Sequence, residues 1–152
     1  MRILAIDPGN TESAYVVWDG KEIICFAKES NAIIKDLLSN KWAYASTYDL
    51  CAIEMVASYG MPVGATVFET CVWIGRFYEH AHDVSLVYRK DVKMHLCGQT
   101  RAKDSNIIQA LKDRFGEKGT KKNPGLTYGL AKDTWQAFAL AVYVYDKQRG
   151  TV

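Results

Sequence analysis

Two apolar runs, ILAI at residues 3–6 and CAI at 51–53, each lead directly into a carboxylate, Asp7 and Glu54. Short runs of this kind, bounded by turn residues or polar positions, read as buried strands. An ionised acid at the end of a buried strand costs free energy unless something compensates it. The two strands therefore have to deliver their ends to a place where positive charge is available, and this restricts the fold more than any other feature of the chain.

The remaining pattern supplies the frame. Residues 2–7 read as a strand closed by a Pro8-Gly9-Asn10 turn, 14–18 as a second strand, and Asp19-Gly20 as a hairpin signal ahead of a third strand at 22–28. Ser30 can cap a helix over 31–38, whose Ile33, Ile34, Leu37 and Leu38 fall at helical spacing. Residues 49–56 form another strand. From 62 to 82 the spacing predicts a long helix with Pro62 in its first turn; Val63, Val67, Cys71, Ile74, Tyr78 and Ala81 form one stripe, widened by Phe68, Val72, Trp73 and Phe77. A short strand at 85–88, a helix over 103–115, a mobile surface loop at 116–125 and a last helix over 130–147 complete the chain. Antiparallel strands first and alternation afterwards predict an α/β fold with a sheet of mixed direction in a single domain, 1–152.

Composition narrows the function classes. The chain has no apolar stretch near the roughly 20 residues of a membrane span, so a soluble, cytoplasmic protein is expected. Cys25, Cys51, Cys71 and Cys97 are widely separated and form no Cys-x-x-Cys pair, which suits buried free thiols. Net charge is only +2, yet residues 87–122 hold ten Lys or Arg against four acids, a local excess of +6 that suggests a polyanion contact.

Taken singly, Asp7 can be a turn residue, Glu54 a strand-end charge and Asp133 a helix-start acid. Taken together they can converge at one edge of a sheet, where clustered carboxylates need a cation, and hard oxygen ligands suit Mg²⁺ or Mn²⁺.

Four segments, in order, resemble the RuvC-type Holliday junction resolvases of the RNase H-like fold, especially the short phage and prophage forms: AIDPGNTESAY (5–15), AIEMV (52–56), YRKDVKMHLCGQTRAKDSNIIQAL (88–111) and KDTWQAFALAVY (132–143). YGMPVGATVFETCVWIGRF (59–77) is similar to the phage-type central helix, so the likeness spans nearly the whole chain. The resemblance implies an RNase H-like mixed sheet, three antiparallel then parallel strands flanked by helices. It implies an endonuclease that resolves four-way DNA junctions by paired symmetric nicks, using two Mg²⁺ or Mn²⁺ ions held by Asp7, Glu54 and Asp133. Where the family commonly has a further acid this chain has Gln136, which can offer an amide oxygen but no charge; Asp104 and Glu12 are the alternative acids. Lys93 and Lys103 match basic positions at the DNA phosphates, and Lys103 is the candidate for neutralising charge at the cut. Arg89, Lys90, Arg101, Lys121 and Lys122 extend the basic set. The family's stacking aromatic is missing from its usual place, where Ala57 stands, and Tyr59 is the nearest substitute. Paired nicks call for a homodimer, with the 62–82 helix as the candidate interface.

Two other function classes stay open, a looser fork or flap nuclease and a junction-binding protein with weakened catalysis. The actin-like superfold also ends its first strand in an acid and a glycine turn, but 152 residues leave no room for its two lobes, and no nucleotide cofactor is expected.

Overall fold

The computed structural model describes residues 1–40 and 47–150. Five strands, β1 (Ile3–Asp7), β2 (Glu12–Trp18), β3 (Ile23–Ser30), β4 (Leu50–Met55) and β5 (Val84–Tyr88), form one sheet in the order β3-β2-β1-β4-β5. The β1–β2 and β2–β3 pairs are antiparallel, and the β1–β4 and β4–β5 pairs are parallel. This is the mixed sheet the sequence predicts. A bulge between Val17 and Trp18 interrupts the β2–β3 ladder.

Side-chain alternation divides the core into two layers. Ile3, Ala5, Ala14, Val16, Trp18 and Ala52 face α5 (Asp133–Gln148), with α4 (Asp104–Phe115) contributing Ile107 and Leu111 to the same layer. Leu4, Ile6, Tyr15, Val17 and Ile53 face α1 (Asn31–Ser39) and α2 (Ala65–His80). In α5 every residue from Thr134 to Val142 is buried, and Ala137, Ala139 and Ala141 let its backbone lie close against the sheet. All four cysteines are free; Cys51 is buried and the others are half-buried.

Several boundaries differ from expectation. A further helix, α3 (Arg89–Cys97), follows β5 directly and ends at Gly98 in the left-handed conformation (φ 73°). Its only fully buried side chain is Val92, with Leu96 and Cys97 packed partly against the core, so this short polar stretch has too little apolar content to mark it. The central helix begins at Ala65, after a Gly64 cap, which leaves Pro62 ahead of it instead of in its first turn. It buries only Thr70, Ile74 and Phe77, while Phe68, Val72 and Tyr78 are exposed, so its wide apolar surface is mostly outward. The last helix begins at Asp133, not at Leu130. Residues 116–125 form a closed turn and not an open loop: Gly125 N–H donates to the Lys118 carbonyl (2.9 Å), Thr120 N–H donates to the Asn123 carbonyl (3.1 Å), and Gly119 bridges Pro124. A Cβ at Gly125 would lie 2.1 Å from the Glu117 carbonyl oxygen, so the close approach requires glycine there. No helix among the described residues is long and apolar enough to cross a membrane.

Candidate active site

Register gathers the site. Ile6 pairs with Ile53, so Asp7 and Glu54 come next, side by side at the ends of parallel strands. Asp7 also pairs with Ala14, and Ala14 with Lys28, while Glu54 pairs with Val87. One row therefore runs Lys28, Ala14, Asp7, Glu54, Val87 across all five strands. Alternation turns this row toward α5. The small Ala14 leaves space beside Asp7 for the start of α5, and there the Asp133 carboxylate accepts a hydrogen bond from Lys28 Nζ at 2.8 Å. Lys132, immediately before, adopts φ 47° and ψ −115°, a strained conformation for a non-glycine residue at the point where the third acid enters the site.

The turn after Asp7 is fastened from behind. Buried Ser13 donates to Asn31 Oδ1 (2.5 Å) and accepts from Gly9 N–H (3.1 Å), and Asn31 Nδ2 donates to the Gly9 carbonyl (2.9 Å). A Cβ on Gly9 would sit 2.3 Å from the Glu12 carbonyl oxygen. The Ser-Ala-Tyr triplet thus divides its labour: Ser13 fixes the turn, Ala14 keeps the acid row clear, and Tyr15 packs on the opposite face.

Positive charge is already present. Arg89, the first residue of α3, grips Glu54 with two hydrogen bonds, Nε to Oε1 at 2.7 Å and Nη2 to Oε2 at 3.1 Å. It also lies 3.7 Å from Asp7 Oδ1 and 3.7 Å from Asp104 Oδ1. Burial and the neighbouring Glu54 push the Asp7 carboxyl up to about 8, although Arg89 pulls the other way. Arg89 loses solvation there, yet Glu54 and Asp7 hold its protonated form above the ordinary range. Among the described residues, no three acid, His or Cys side chains converge closely enough to hold a metal ion as they stand. The donor set nevertheless fits one: two largely buried carboxylates in adjacent register positions, a third at the head of α5, and a cationic side chain already on the first two. Gln136 lies one helical turn after Asp133; it is buried and has no side-chain hydrogen bond among the described residues.

Beside the acids lies a cavity of about 510 Å³ lined by Tyr59, Arg89, Lys90, Lys93, Thr100 and Arg101. Five of these six are residues that the sequence marks for DNA. Tyr59 is held at φ 50° in a turn closed by Met61 N–H donating to the Ser58 carbonyl (2.9 Å), and the residue is 63% exposed, so it is not a core packing residue. Lys103 caps α4 and is exposed, and its backbone N–H donates to Asn106 Oδ1 at 2.9 Å. Asp104 follows it toward Arg89, whereas Glu12 is an exposed residue at the start of β2. Lys121 and Lys122 do not line the cavity. Asp104 begins α4 near Arg89, and eleven residues on, about 16 Å along the axis, Phe115 packs against Trp18 at the opposite end of the sheet. The turn that carries the two lysines departs from that remote end.

Lys28, Asn31 and Thr100 join the site without a clear sequence signal. Lys28 was detectable in principle by counting register back from the Asp19-Gly20 turn, but the bulge shifts that count by one.

No family model matches the chain, and no curated protein matches it significantly. Solved structures do match. The structure of Thermus thermophilus RuvC superposes with a TM-score of 0.71 at 17% identity, covering 99% of this chain and 98% of that one. T. thermophilus RuvC in complex with a Holliday junction substrate superposes with a TM-score of 0.75 at 16% identity, covering 99% and 97%. The five-stranded mixed sheet, its helices on both faces and this end-to-end correspondence give the chain the RNase H-like fold of RuvC.

Proposed function

We propose that the chain is a metal-dependent endonuclease that resolves four-way DNA junctions. The observation that carries this reading is the placement of three acids at the head of the sheet, two of them adjacent and largely buried, next to a cavity lined by basic residues. Asp7, Glu54 and Asp133 would hold Mg²⁺ or Mn²⁺, and the Gln136 amide oxygen is available as a neutral donor. Divalent ions bound there supply an activated water and charge stabilisation for phosphodiester hydrolysis. The protein's own groups orient the substrate. Lys90, Lys93 and Arg101 bind the backbone phosphates in the cavity, and Lys103 neutralises charge at the reacting phosphate. Tyr59, exposed on its turn, offers a face for an unpaired base.

Paired nicks need two such sites. The outward Phe68 and Val72 of α2, with open space over Gly64 and Gly75, support a two-fold interface along that helix. A junction-binding protein of weakened catalysis is the second reading; it is favoured by Gln136 in place of an acid and by the internal cations on all three carboxylates.

The deciding experiment is a cleavage panel of four-way junction, fork, flap and linear duplex with Mg²⁺ or Mn²⁺. Selective symmetric nicking of the junction, abolished by Asp7→Asn with binding retained, supports the first reading. Binding without metal-dependent nicking establishes the second, and equal cutting of forks and flaps identifies a general branched-DNA nuclease.

A further inference from the structure

Arg89 touches both halves of the site. Its guanidinium uses both oxygens of Glu54 and reaches toward Asp7 and Asp104, and the same side chain lines the cavity of Tyr59, Lys90, Lys93, Thr100 and Arg101. Its backbone is fixed: β5 pairs with β4 through Met55 and Tyr88, and Arg89 follows Tyr88 as the first residue of α3. Its side chain is one third exposed and, among the described residues, has no side-chain hydrogen-bond partner besides Glu54, so rotation can carry it from the acids into the cavity. A guanidinium bonded to both Glu54 oxygens and a divalent ion ligated by Glu54 compete for the same lone pairs.

We infer that Arg89 is a removable internal counter-cation, which neutralises the Asp7–Glu54 pair when no divalent ion is bound and moves to a DNA phosphate in the adjoining cavity when one binds. The inference rests on the reading of Asp7 and Glu54 as metal ligands. It gives the protein a property that a preformed metal site lacks. A phosphate that draws Arg89 off Glu54 raises metal affinity, and by thermodynamic reciprocity metal raises DNA affinity by the same factor. Free protein then resists loading with metal, and loading and substrate binding occur together. A guanidinium is suited to this exchange because its planar fork bonds a carboxylate and a phosphate equally well.

The test is Mn²⁺ affinity of the full chain, measured by electron paramagnetic resonance in the cold, with and without a synthetic four-way junction. Arg89→Gln should bind Mn²⁺ at least about tenfold more tightly than wild type without DNA, the size of one lost charge-assisted contact. The junction should tighten Mn²⁺ binding by wild type at least about fivefold and leave the variant's affinity nearly unchanged. Arg89→Lys, which keeps the charge without the fork, should fall between the two and serves if Arg89→Gln does not fold. Unchanged or weaker Mn²⁺ affinity in the folded variants, or an equal junction effect in wild type and variants, overturns the inference. A different failure marks the underlying reading: if wild type binds no Mn²⁺ that Asp7→Asn abolishes, the metal site itself is wrong.

Discussion

Replacing Asp7 with Asn should make the metal-free protein more stable, and increasingly so as pH rises. The carboxyl lies between β4 and α5 with 11% of its side chain exposed, and burial and Glu54 raise it from 3.8 to about 8. A group whose folded value lies above its unfolded value contributes its full stability below about 3.8 and loses it as pH climbs toward 8. Each pH unit in that window is worth about 1.4 kcal/mol, so at pH 7 the ceiling is about 4 kcal/mol. Relaxation of the pair with Glu54 and Arg89 brings the expected gain for Asp7→Asn to about 1–3 kcal/mol, because the amide keeps the shape without ionising. Urea unfolding in EDTA, followed by tryptophan fluorescence at pH 4.5 and pH 7.5, measures this directly. The two proteins should be close at the lower pH and separate at the higher. Millimolar Mg²⁺ should then stabilise wild type and leave the variant unmoved. A difference between the two proteins that is the same at both pH values would refute the reasoning, since it would place Asp7 outside a crowded acid pair.

Asn31→Ala removes one buried and one part-buried hydrogen bond and leaves the Ser13 hydroxyl proton and the Gly9 carbonyl without these partners; it should cost about 2–4 kcal/mol, read as a fall in Tm of about 5–15 °C. Asp146 is buried, which raises its carboxyl, but hydrogen bonds from Arg114 (2.6 and 2.8 Å) and His95 (2.7 Å) hold it below the ordinary range. Asp146→Asn should therefore cost about 2–4 kcal/mol at pH 7, and the difference from wild type should shrink below about pH 4 as the native carboxylate is protonated; urea titrations across pH would detect it. If the proposed two-fold interface forms along α2, Phe68→Glu should shift the protein to monomer in light scattering while changing monomer stability by under about 0.5 kcal/mol, because the residue is 61% exposed.

What the sequence revealed follows from which forces are local. The strands could be read because their apolar runs are short and bounded, and Asp7 and Glu54 because each ends such a run, whereas Asp133 was marked only by its place at a helix start. The α2 stripe was legible as apolar, but apolar content does not tell which side meets the sheet, and only Thr70, Ile74 and Phe77 do. Helix α3 escaped because it is short and mostly polar, with Val92 its one fully buried side chain. Arg89 was readable only as one of a basic set; its grip on Glu54 depends on the parallel register of β4 and β5, which no local pattern encodes. The ordering of residues 116–125 depends on close backbone approaches at Gly119 and Gly125, where composition suggested only looseness.

The bulge between Val17 and Trp18 decides which residue balances the third acid. Beyond the bulge Trp18 pairs with Ile23, and continuing that count without interruption would bring Ala27 opposite Ala14. Lys28 would then turn to the α1 and α2 side, and Asp133 would lose its ammonium partner. A single unpaired residue near the hairpin thus sets the charge balance at the far end of the sheet, and losing it while the Trp18–Ile23 pair is kept would turn Lys28 away from Asp133.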